Sequence, residues 1–138
     1  MQACNAVATP QDKAEFAFTR IFFIADYARF FLNQQFKEIQ KADKTNEFMR
    51  LVSSLNTISE IVTNFYRNGH TVNHMLLDVS GILRQTRELK VILDELKKNG
   101  VTNCYWMTKT KENVEEIERK ISFICECLES VDSSTVIR

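Results

Sequence analysis

The sequence predicts an all-α protein of four amphipathic helices, arranged as an antiparallel helical bundle or an extended coiled coil. Three observations lead there. The 138 residues hold three Gly and one Pro, where average usage would place roughly sixteen. All-β folds need such residues at turns every few residues. Nucleotide-binding loops need glycines where backbone meets phosphate, and neither G-x-G-x-x-G nor G-x-x-x-x-G-K-[ST] occurs. The second observation is apolar spacing of three and four residues sustained over long stretches. The third is punctuation: a helix-starting Thr-Pro-Gln-Asp and a helix-stopping Asn-Gly.

The first helix is predicted over 10–40. Thr9 caps it, Pro10 suits its first position and Asp12 favours its positive end. Phe18, Ile21, Ala25, Ala28, Leu32 and Ile39 follow helical spacing, with Gln35 the polar exception. The second helix, over 46–67, carries the heptad seam Phe48, Leu51, Leu55, Ile58, Val62 and Phe65. The third, over 71–98, carries Val72, Met75, Val79, Ile82, Leu89, Leu93 and Leu96, with Thr86 as the polar seam residue. Asn99-Gly100 ends it. A connection over 101–109 holds Cys104, Tyr105 and Trp106. The fourth helix, over 110–131, repeats the seam with Val114, Ile117, Ile121, Ile124, Leu128 and Val131. The ends, 1–8 and 132–138, are expected to fray around a single helical domain of 1–138.

The junction at Gly69 leaves two architectures open. Asn68-Gly69-His70 reads as a cap and turn, which gives a hairpin and a compact bundle. The apolar series 58, 62, 65, 72, 75, 79 also stays in phase through it with one short step. A fused rod of about 50 residues would be roughly 75 Å long. A rod could bury its seam only against other chains.

Composition excludes several functions. Eighteen basic residues balance eighteen acidic ones, without the basic surplus of a nucleic-acid binder. The most apolar run, Ile21 to Leu32, is broken by Asp26 and Arg29 and is too short to span a bilayer. No basic, then apolar, leader stands at 1–9. The four cysteines, at 4, 104, 125 and 127, read as reduced thiols of a cytoplasmic protein, with a secreted disulfide framework as the alternative. Cys125 and Cys127 point about 200° apart on a helix.

Two groups of residues invite a functional reading. Seven phenylalanines, Phe16, Phe18, Phe22, Phe23, Phe30, Phe31 and Phe36, crowd the first helix. Its polar residues form a narrow stripe of Glu15, Thr19, Asp26, Arg29, Asn33 and Lys37. Such a helix is covered on more than one side, as the centre of a bundle or by a partner that meets its aromatic anchors. It lacks the wide basic face of a membrane-surface helix. The second group is His70 and His74, at a spacing that can hold zinc, with Asp78 one turn on and Cys104 as a distant candidate. The intervening Thr71-Val72-Asn73 is not the H-E-x-x-H pattern, and a solvated face near a helix start accounts for both histidines. No metal or other cofactor is expected. No nucleophile stands beside a base in any recognisable motif, and acid pairs such as Glu115-Glu116 are answered by Arg119 and Lys120 one turn on.

Lys44-Thr45-Asn46-Glu47, Leu55, His70-Thr71, Asp78, Ile82, Arg87, Leu89 and Lys90 resemble the core of the KxDL family. That family consists of small coiled-coil subunits of complexes that act on lysosomes and related organelles. The resemblance spans 44–90, and Leu76-Leu77-Asp78-Val79 stands where Lys-x-Asp-Leu is expected, matching at Asp78. It implies an intracellular assembly subunit.

The sequence thus points to a non-enzymatic, cytoplasmic interaction subunit or adaptor that forms homo- or hetero-oligomers with protein partners. The residues expected to carry assembly are Phe22, Phe23, Phe30 and Phe31 on the aromatic helix, with Phe48, Leu55, Ile58, Val62, Val79, Ile82, Leu89 and Leu93 on the seams. The alternative is a self-contained four-helix bundle, acting as a viral or pathogen effector or a cytokine-like ligand that binds a host protein.

Overall fold

The computed structural model describes residues 9–68, 71–101 and 104–137, with side chains as far as 130. Among the described residues the chain is all-helical: α1 (Pro10–Gln34), α2 (Phe36–Lys41), α3 (Thr45–Asn68), α4 (Val72–Lys98) and α5 (Tyr105–Ile137). Helix α1 begins with a reciprocal capping box. The Asp12 amide donates to Thr9 Oγ1 at 3.0 Å, and the Thr9 amide donates to Asp12 Oδ2 at 3.2 Å.

Helix α1 packs against α3 and α5, and α4 packs against the same two, so the four long helices enclose one core. Side-chain pairs fix the directions. Phe18 stacks on Phe65 and Arg29 donates to Asn56, so α1 and α3 are antiparallel. Arg50, near the start of α3, pairs with Glu88 and Glu95 near the end of α4, while Ile61 lies beside Gly81. Thus α3 and α4 lie antiparallel as well. Gly69 and His70 lie outside the described residues, yet this pairing separates the two architectures. Helices α3 and α4 lie side by side as two antiparallel helices, and the fused rod is not formed.

The core contains every seam residue that falls within the described side chains, except Val72, which packs at its edge. Each fully buried Leu, Ile or Phe contributes about 1.5–3 kcal/mol before chain entropy is counted. Two polar residues of the interior satisfy themselves locally, whereas the buried Ser59 Oγ meets no partner among the described residues. Thr86 Oγ1 donates to the Leu83 carbonyl, and Thr110 Oγ1 donates to the Trp106 carbonyl, each at 2.7 Å.

Helix boundaries depart from the spacing at three places. The helix expected over 10–40 breaks at Gln35, whose amide is shared between the Phe31 and Leu32 carbonyls. The short α2 then swings Phe36 and Ile39 onto the start of α3. The fourth helix starts at Tyr105, not near 110, because buried Trp106 anchors its first turn. It also continues helical to Ile137 where fraying from 132 was expected. Residues 1–8 lie outside the described part.

Both α2 and α4 end in the same backbone device. Lys44 N donates to Ile39 O and Asp43 N to Gln40 O; Val101 N donates to Leu96 O and Gly100 N to Lys97 O. Each is a Schellman turn, with Asp43 (φ 59°) and Gly100 (φ 88°) in the left-handed position. Asp43→Gly is therefore expected to stabilise the fold, and Gly100→Ala to destabilise it, each by about 1 kcal/mol in denaturant unfolding. Leu89 and Ile58 are fully buried. Leu89→Asp or Ile58→Asp places an uncompensated carboxylate there, at a cost of several kcal/mol, and should abolish cooperative unfolding as followed by circular dichroism.

Candidate protein-binding surface

Helix α1 divides its side chains by size in an unusual direction. Toward the core it places Ala14, Ala17, Ala25 and Ala28 beside Phe18, Ile21 and Leu32. Toward solvent it places Phe16 (67% exposed), Phe23 (60%), Phe30 (59%) and Tyr27 (49%). At about 100° per residue these four fall within roughly 60° of arc, opposite the buried face. Small side chains let the neighbouring helices approach closely. Phe18 and Phe31 enter the core, and four further rings of the helix stand outside it.

The two edges of this stripe are held by polar and aromatic contacts. On the α3 side, Tyr66 Oη donates to the Glu15 carbonyl at 2.9 Å and also meets the Thr19 hydroxyl. Arg29 bridges Asp26 on its own helix, at 2.5 Å, and Asn56 Oδ1 on α3, at 2.7 Å. Between these contacts Phe22 is half-buried, in a shallow groove of about 270 Å³ shared with Val62, Thr63 and Tyr66. On the α5 side, Phe31 is buried, stacked by Tyr27 and met edge-on by Tyr105, which is itself 67% exposed. Helix α1 is thus fixed on both flanks while its outer stripe carries aromatic rings in water.

The residues expected to bind partners therefore divide. Phe23 and Phe30 are on the outer stripe; Phe22 and Phe31 turn inward on its flanks. Phe48, Leu55, Ile58, Val62, Val79, Ile82, Leu89 and Leu93 are buried in the chain's own core, where each seam is met by neighbouring helices of the same molecule. Phe16, Tyr27 and Tyr105 join the exposed surface although spacing did not select them. A helical wheel comparing side-chain sizes on opposite faces would have found the first two. No family model, curated protein or solved structure matches the chain.

The remaining ionisable groups hold the surface together. Glu95 sits below the usual carboxylate range because Arg50 donates to it, and Glu116 does so because Arg119 and Lys120 donate to it. Burial pushes the thiols of Cys125 and Cys127 up, away from the reactive thiolate. His74 stands exposed at the start of α4. Its amide donates to the capping Thr71 Oγ1 at 3.1 Å, and its Nδ1 lies 2.8 Å from the same hydroxyl. His70 lies outside the described residues. Among those described, no three His, Cys, Asp or Glu side chains converge as a metal site, and no helix is long and apolar enough to cross a membrane.

Asp78 is half-buried on α4, and burial raises its carboxyl above the ordinary range while His74 pulls it back. A raised folded-state value means the folded chain holds the proton more tightly. Stability is then lost as pH rises from the unfolded value through the folded one. Asp78→Asn should raise the melting temperature at pH 7. The gain should vanish below about pH 3, where the carboxyl is protonated in both states. A gain of equal size in acid would assign the effect to something other than ionisation.

Proposed function

We propose that the chain is a self-contained antiparallel four-helix bundle that binds another protein through the outer stripe of α1 and performs no chemistry itself. The observation that carries this reading is the distribution of size on α1: four alanines on the buried face, and Phe16, Phe23, Tyr27 and Phe30 turned outward. Four exposed rings aligned on one rigid helix match the composition of interface hot spots, where aromatic anchors give most of the binding energy. Burying one such ring removes on the order of 120 Å² from water, worth about 3 kcal/mol before the costs of association. That gain is realised only when a partner covers the stripe.

The reading combines the two functions the sequence left open. An assembly subunit of the kind implied by the KxDL resemblance, built on exposed heptad seams, would need those seams free. Here they are met within the chain, so the aromatic helix is the surface that remains for assembly. A ligand or effector that folds by itself and docks by one face fits the same arrangement. Arg50 and Lys90 tie neighbouring helices through surface ion pairs, and Arg119 and Lys120 both pair with Glu116 within α5, so these charges are engaged inside the bundle.

The test is a paired capture experiment with wild type and Phe23→Glu/Phe30→Glu. Both positions are more than half exposed, so the double variant should keep its helicity and lose less than about 1 kcal/mol of stability. It should lose the proteins that wild type retains. A folded variant that retains the same proteins would refute the assignment.

A further inference from the structure

The stripe has an internal order that says what covers it. Phe16, Phe23 and Phe30 recur at strict seven-residue spacing, and Tyr27 lies one helical step beside them with exposed Arg20 on the same edge. A seven-residue repeat drifts slowly around an α-helix and suits a lengthwise, left-handed crossing of about 20° with another helix. The positions are also nearly symmetric about Phe23. Turned end for end on that residue, Phe16 falls opposite Phe30 and Phe23 opposite itself, while Arg20 falls one residue from Tyr27 along the edge the two share.

We propose that the occupant of the stripe is a second copy of this chain, its α1 lying antiparallel on the first with a two-fold axis through Phe23. This rests on the reading of the stripe as a protein-binding surface and names its partner. In that register Phe16 meets Phe30 of the second copy at both ends, and Arg20 meets the face of Tyr27 as a cation–π pair, also twice. The charges agree with the register. Lys13 falls opposite Asn33 and Asp12 opposite Gln34, so no like charges are brought face to face. The area agrees as well. The four rings alone expose on the order of 450 Å², more than half of the roughly 800 Å² that each partner gives to a stable interface. Exposed residues between and beside the rings, among them Arg20, Lys13 and Gln34, supply much of the rest. A closed two-fold contact of this kind uses one patch twice and leaves no open end.

The test is the mass of the full chain in solution, by sedimentation or light scattering across the micromolar range. The expected result is a rise from 16.1 kDa toward twice that value. Phe23→Glu places two carboxylates on the axis and should weaken association by at least about 100-fold without loss of helicity. Phe23→Cys, oxidised with glutathione disulfide, should form a covalent dimer beyond the wild-type background, and Phe16→Cys should not, since its opposite number is Phe30. A mass of 16.1 kDa at every concentration, a dimer that survives Phe23→Glu, or equal cross-linking by both cysteine variants would overturn the proposal. A chain that stays single yet loses captured proteins in the Phe23→Glu/Phe30→Glu variant overturns self-pairing and leaves the protein-binding reading standing. Stripe-dependent binding to vesicles of phosphatidylcholine and phosphatidylserine by a single chain overturns both.

Discussion

Everything in this molecule depends on α3 and α4 lying side by side. Their seams, from Phe48 to Phe65 and from Met75 to Leu96, are too apolar to face water and too long to be covered by a loop. Once the chain doubles back, each seam covers the other, and α1 and α5 close the remaining sides. Gly81 shows how closely the two helices meet, since a Cβ built there would sit 3.1 Å from Ile61 Cδ1. Arg50 then reaches from one end of α3 to two acids near the end of α4, adding geometry more than energy at so exposed a position.

Closure of the seams changes the meaning of the aromatic helix. With the interior filled by residues from all the long helices, α1 contributes alanines to part of its inner face and has no room inside for its remaining rings. Its capping box, its Tyr66 and Arg29 contacts and its Phe31–Tyr105 edge hold it from both sides. The outer stripe is therefore displayed on a fixed element, which lowers the ordering cost of any contact made there.

Much of the fold was legible in the sequence because helical periodicity reports burial directly. Leu55, Ile58, Ile82 and Leu89 are in the core as the seams required, and Gly100 ends α4. The break at Gln35 was hidden because Ile39 stays in phase with the buried face although the backbone hydrogen bonding changes. The early start of α5 was hidden because Trp106, one large apolar residue in a polar stretch, carries no period. Periodicity also shows that a seam must be covered without saying by what. The spacing of Leu55 or Leu89 is the same whether a partner or the chain's own helices bury it. At the surface, counting phenylalanines picks out the helix that carries exposed rings but does not separate Phe22 and Phe31 from the outward ones. Only the contrast of large and small residues across the wheel separates them.

The central claim is that the seams close within one chain, whatever later gathers on α1. The direct measurement is isotope-filtered nuclear magnetic resonance on a mixture of labelled and unlabelled chains. Proton contacts between the rings of Phe18 and Phe65, and between Gly81 and Ile61, should appear within labelled chains and be missing from the filtered, interchain spectrum. The same contacts in the interchain spectrum would mean that the seams are shared between molecules, and the account would fail.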